Sequence, residues 1–127
     1  MGTNAIVTEQ RRKDLMKASS GDILLPTIVG MAFGDGGCDN DGNVITPTEV
    51  QSELNHEIYR KEVDGHSFVS ETTCRYECSL SSSELADQNI SEIGLYDSNG
   101  NLVNIKTFKS KGKDSDLEMT FTVDDVF

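Results

Sequence analysis

Near the end of the chain, Leu117, Met119, Phe121 and Val123 alternate with Glu118, Thr120 and Thr122. A side-chain period of two is met by an extended strand that buries one face and wets the other. The same alternation recurs between His66 and Leu80, where Phe68, Cys74, Tyr76, Cys78 and Leu80 alternate with Val69, Glu71, Thr73, Arg75 and Glu77. It predicts one long strand, or two interrupted by a bulge. A half-buried strand must cover its apolar face with another element, so these stretches commit the chain to a sheet with a shared core.

The remaining elements fall around that sheet. Thr27 to Phe33 is a short apolar run rich in strand formers, and it reads as a buried strand. Gly34 to Asn43 follows, with four glycines and three aspartates, a composition suited to a tight exposed loop. Ile93 and Leu95 mark one face of a strand ending at Tyr96. The Asn99-Gly100 pair then predicts a hairpin, with Leu102 to Phe108 returning antiparallel and Lys109 to Asp116 as a charged loop. Two helices are expected. The first runs from Glu9 to Ala18, capped by Thr8, stopped by Ser19-Ser20-Gly21 and turning Leu15 and Met16 to the core. The second starts at the capping signature Thr46-Pro47-Thr48-Glu49 and runs to about Tyr59, with Val50, Leu54 and Ile58 on one stripe. The expected fold is α+β, a mainly antiparallel sheet with two short helices packed on one side.

A chain of 127 residues is long enough for one self-sufficient core, so residues 1–127 are expected to form a single domain. The net charge of -11 provides no clustered lysines and arginines to neutralise phosphates, which argues against nucleic acid or an anionic membrane as partner. It favours a partner with a basic docking surface. Three cysteines, Cys38, Cys74 and Cys78, have no framework spacing, and a reducing cytoplasm is the expected place of synthesis. The start of the chain has no charged-then-apolar leader, no run reaches membrane-span length, and Ile6 stands where a myristoylation signal at Gly2 needs Ser or Thr.

Candidate chemistry is sparse. The loop from Gly34 to Asn43 offers Asp39 and Asp41 in calcium-loop positions, but Gly37 and Thr48 stand where the first and the bidentate ligands are needed. A small ligand- or Ca2+-binding module using this loop is the alternative function. The glycine run Gly30 to Gly37 has no Lys-Ser/Thr and does not match a dinucleotide fingerprint. Cys74 and Cys78, four apart on a strand, share a face roughly 13 Å apart, too far to share a metal, and read as small buried hydrophobes. His56 and His66 read as surface residues. No nucleophile–base set can be nominated from spacing, so the chain is read as non-enzymatic, with no catalytic, cofactor-binding or metal-binding residue assigned.

Three segments in fixed order carry a resemblance: Met31-Ala-Phe-Gly-Asp-Gly-Gly37, Leu54-Asn-His-Glu-Ile-Tyr-Arg60 and Ile90-Ser-Glu-Ile-Gly-Leu-Tyr-Asp-Ser-Asn-Gly100. They resemble the N-terminal attachment domain of tail-fibre (tail-collar) proteins of contractile-tailed phages and phage-tail-like particles. That family shows a strand ending in Gly-Asp-Gly, a helix ending in Asn-Glu-Val/Ile-Tyr-Arg and a strand reading Glu-Ile-Gly-Leu-Tyr-Asp. The resemblance covers the first helix to about Val123. It implies a structural component that joins a fibre to the baseplate, usually as a trimer, in the virion tail, with other tail or baseplate proteins as partners and no cofactor. It also implies a shaft and receptor-binding tip, neither of which is visible before Phe127. The expectation is therefore a fragment, or a stand-alone adaptor.

Overall fold

The computed structural model describes residues 4–127, and the reading at Gly2 lies outside them. Period two is expressed as eight strands among the described residues: β1 (Ala5–Val7), β2 (Ile28–Gly34), β3 (Glu57–Glu62), β4 (Gly65–Ser70), β5 (Thr73–Leu80), β6 (Gln88–Asp97), β7 (Asn104–Lys113) and β8 (Met119–Val126). One helix, α1 (Glu9–Ser19), follows β1. The strands form a five-stranded sheet ordered β1-β7-β6-β2-β3 and a three-stranded sheet ordered β4-β5-β8. Every pairing is antiparallel.

The two sheets share one apolar layer. Met31, Phe33, Ile93 and Leu95 from the larger sheet meet Cys78, Leu80, Phe121 and Val123 from the smaller one. Phe33 and Phe121 sit edge to face with ring centroids 5.3 Å apart. The second face of the larger sheet has a smaller cluster of Ala32, Leu54, Leu102 and Ile105. Strands β2 and β6 are thus covered on both sides, which explains their nearly continuous burial.

The mainly antiparallel class, the first helix and the hairpin at Asn99-Gly100 match expectation. Thr8 caps α1 through its Oγ1, which accepts from Arg11 N–H, and Gly100 takes the left-handed φ of 82° at the hairpin turn. Four expectations are corrected. The helix from Pro47 to Tyr59 does not form: Thr46 to His56 is irregular and Glu57–Glu62 is β3. A helix there would consume the Asn55 and His56 N–H groups internally, whereas both are bonded by the side chain of Glu92. A short helix with a narrow apolar stripe has little to set against that and against a full strand pairing with β2.

The stretch from His66 to Leu80 is a hairpin rather than one strand. It turns at Glu71-Thr72, between the paired residues Ser70 and Thr73, and polar residues on both sides of the turn hide it from the alternation. β7 runs on to Lys113, where a loop was expected. In α1 the buried residues are Arg11 and Asp14, while Met16 is exposed. Arg11 Nη1 donates to the Pro26 carbonyl at 2.8 Å, which turns the Arg11 side of the helix inward.

Strand β3 is fastened to the smaller sheet by a polar clasp. Lys61 Nζ donates to Glu84 Oε1 at 2.8 Å and to the Ser79 carbonyl at 2.8 Å. The Tyr59 hydroxyl and Ser81 N–H also donate to the Glu84 carboxylate. These donors, Lys61 foremost, hold the Glu84 carboxyl down to about 2 from its ordinary 4.5. A carboxyl depressed by folding stabilises the native state above its ordinary value, and that contribution is lost as pH falls towards 2. The Glu84 and Lys61 side chains are 19% and 26% exposed, so solvent screening trims the effect. Urea unfolding of the wild type should therefore lose about 1–2 kcal/mol more than Glu84→Gln between about pH 5.5 and 2.5. Equal acid sensitivity of the two proteins would contradict the clasp.

Candidate functional site: a buried carboxylate joining three sequence motifs

Glu92 lies in the third sequence segment, on the face of β6 turned away from the inter-sheet core, and has no exposed surface. Its register partner is Gly34 of β2. Oε2 accepts from Gly36 N–H at 2.9 Å and from His56 N–H at 2.8 Å. Oε1 accepts from Asn55 N–H at 2.8 Å. One carboxylate therefore binds the glycine loop of the first segment and the strand lead-in of the second. Ionised acceptors make stronger bonds than neutral ones, and a carboxylate without water must have its lone pairs filled in this way.

The glycines make this approach possible. A Cβ on Gly34 would lie 2.5 Å from Glu92 Oε2 and 2.6 Å from the His56 carbonyl oxygen. On Gly37 it would lie 2.0 Å from the Ser91 carbonyl oxygen. Further bonds tighten the junction. Gly37 N–H donates to Ser91 Oγ at 2.9 Å, Asn55 Nδ2 donates to the Gly36 carbonyl at 2.9 Å, and Asp35 N–H donates to the His56 carbonyl at 3.2 Å.

The rest of the second and third segments is used likewise. Arg60 lies over the Tyr96 ring at 4.5 Å, donates to the Gly100 carbonyl at 2.9 Å and pairs with Glu57. Tyr96 in turn covers Gly30, its register partner, where a Cβ would lie 2.1 Å from the ring. These contacts explain the residue types: small residues on β2 admit Tyr96 and Glu92 from β6, and β3 closes over them.

Above the junction, His56 and Asp35 form an exposed pair through Nδ1 and Oδ1. The hydrogen bond to Asp35, then its charge, raises the His56 pKa above 6.5. A shallow groove of about 480 Å3 opens beside them, bounded by Glu53, Asn55, Glu57, Arg60 and Gly100. The glycine loop itself, proposed from sequence as the alternative ligand site, uses its best acceptor internally: Asp39 Oδ1 accepts from Asp41 and Asn43 N–H, both at 2.9 Å. Among the described residues no group of three or more His, Cys, Asp or Glu side chains converges as a metal site would require. Cys74 and Cys78 share strand β5 and all three thiols are free. Cys78 is buried in the core, and burial pushes its thiol up to about 11.

Sequence reasoning marked all three segments but missed Glu92 as the point where they meet. The available signal was a glutamate set among the apolar residues Ile90, Ile93 and Leu95. A charge at a buried strand position needs partners.

The architecture is a two-sheet structural module in which one carboxylate ties the glycine loop and the lead-in to β3 to β6. The family model described as phage tail-collar fibre protein, N-terminal, matches residues 3–123, and the chain belongs to this family. No curated protein matches the chain. Family membership makes it a structural phage-tail component of the virion tail, associated with other tail proteins; the family is not a known enzyme family. Among the described residues no helix is long and apolar enough to cross a membrane.

Two outcomes test the junction. Glu92→Ala should destabilise the protein by about 2–3 kcal/mol in chemical denaturation, because three part-buried N–H donors lose their acceptor. Glu92→Gln should recover only part of this, since its amide nitrogen would face an N–H group. A loss below about 1 kcal/mol for Glu92→Ala would refute the assignment. In an NMR titration His56 should titrate above 6.5, and Asp35→Asn should move it down. Identical His56 curves in the two proteins would show that the pair does not form in solution.

Proposed function

We propose that this chain attaches or adapts a tail fibre to the baseplate of a contractile-tailed phage or tail-like particle. In this reading residues 1–127 act as one folded unit without catalysis, and the fibre copies associate, as a trimer in the form the family resemblance implies. The observation that carries the reading is the fate of the motif side chains. Glu92, Asn55, Arg60 and Tyr96 are engaged with one another or with the backbone, and Tyr59 with Glu84. Residues used in this way set the shape of a surface rather than reacting with a substrate. The glycine loop and the lead-in to β3 are thereby presented as a rigid pair of loops. Preorganised loops lose little conformational freedom on docking, which suits a permanent joint between subunits.

An acidic chain with net charge -11 is matched to a basic seat on a neighbouring subunit. Particles purified from the source strain, carrying a small epitope tag in the exposed Asp39–Gly42 turn, provide the test. Immunogold electron microscopy should find the label at the baseplate end of the tail. Label at the neck, or a tagged chain that never enters particles although it folds, would overturn the proposal.

A further inference from the structure

Strand β4 is an edge strand with every residue exposed. It pairs with β5 on one side, and among the described residues its other side has no strand neighbour. Among the described residues, Gly65–Ser70 makes no backbone hydrogen bond outside the β5 pairing. Natural edges are usually blunted by lysine, proline or an inward charge. The sequence Gly-His-Ser-Phe-Val-Ser has none of these; its pairing with β5 shifts register between Phe68 and Ser70, and it exposes Phe68 at 74% and Val69 at 47%.

The apolar surface continues past the edge. The face of the smaller sheet that forms the core further along overruns the larger sheet here, leaving a groove of about 360 Å3. Leu25, Phe68, Tyr76 and Phe127 line it, with Arg11 and Asp125 also in its wall. Arg11 is 5% exposed, and its Nε has no hydrogen-bond partner. Leu25 and Phe127 remain 37% and 65% exposed beside it.

The charges around β4 select the occupant. Asp64 and Glu71 bracket the strand, and Asp64 is held in position by Ser79 N–H at 2.8 Å. If two copies paired antiparallel through all six residues, Asp64 of one would stand opposite Glu71 of the other at both ends. Like charges directly opposite one another destabilise a strand pair, and the chain's net charge of -11 adds to the repulsion. A segment with Lys or Arg at those two positions meets the opposite signs instead.

We propose that the free edge of β4 receives an extended, basic-ended segment of another tail protein as a fourth strand, with one apolar side chain seated between Leu25, Phe68 and Phe127. The main chain supplies affinity in such strand addition, and the alternate side chains and terminal charges supply selectivity. This inference rests on the assembly role proposed above and names the chemistry of one partner.

The test uses two blocked synthetic peptides: Lys-Val-Thr-Ile-Thr-Val-Thr-Lys, which in antiparallel register with its lysines opposite Glu71 and Asp64 turns its apolar side chains to the Phe68 face, and the same sequence with Glu at both ends. At low salt the Lys-ended peptide should bind at least about tenfold more tightly, with the difference shrinking at high salt. Amide exchange should slow at residues of Gly65–Ser70 on binding. Val69→Lys should weaken binding at least about tenfold, because it installs a natural edge blocker. Val50→Lys, at another exposed position, should not. No binding of the Lys-ended peptide up to about 1 mM, equal affinity for both peptides, or exchange protection confined to other strands would each overturn the proposal. Sedimentation showing a dimer that Val69→Lys dissolves would also overturn it, by making a second copy the occupant. Failure of the peptide with the epitope label still at the baseplate removes strand addition alone. Loss of the label from particles removes the assembly role whatever the peptide does.

Discussion

A carboxylate with no contact to water has to be solvated by the protein, and Glu92 is solvated by backbone amides from two segments distant in sequence. Burying an ion costs several kcal/mol, and good hydrogen bonds return that cost without a large surplus. The value of the arrangement therefore lies in specificity. Only one relative placement of β6, the glycine loop and the lead-in to β3 fills both oxygens. The small residues of β2, the ring of Tyr96 and the guanidinium of Arg60 extend that placement along the sheet face.

The two faces of the larger sheet thus differ in kind. One buries aromatic and aliphatic side chains against the smaller sheet, a nondirectional contact that tolerates adjustment. The other is organised by directional bonds that do not. In this division the apolar layer supplies most of the folding energy and the polar face fixes the loops.

Much of this was legible in the sequence. The alternation of Phe121 and Val123, the apolar run into Phe33 and the Asn99-Gly100 turn are local signals, and each became the element it predicts. The segment around Leu54 misled because Val50, Leu54 and Ile58 happen to fall at helical spacing behind a genuine capping pattern. Its strand is imposed by pairing with β2 and by Glu92, whose bonded partners there stand 36 and 37 positions away. The inward turn of Arg11 was hidden for the same reason, since its acceptor is a carbonyl beyond the helix. The three segments could be recognised as marks of a family; that they meet at one carboxylate is a property of three dimensions.

Strand β1 carries a consequence for biogenesis. It pairs with β7, and Thr8, which follows it, donates to the Leu102 carbonyl 94 positions later. During synthesis β1 therefore has no partner until β7 has emerged, and loop closure of this length makes for slow maturation. Apolar strands stay uncovered during that interval, and like-charge repulsion at a net charge of -11 opposes contact between neighbouring nascent copies.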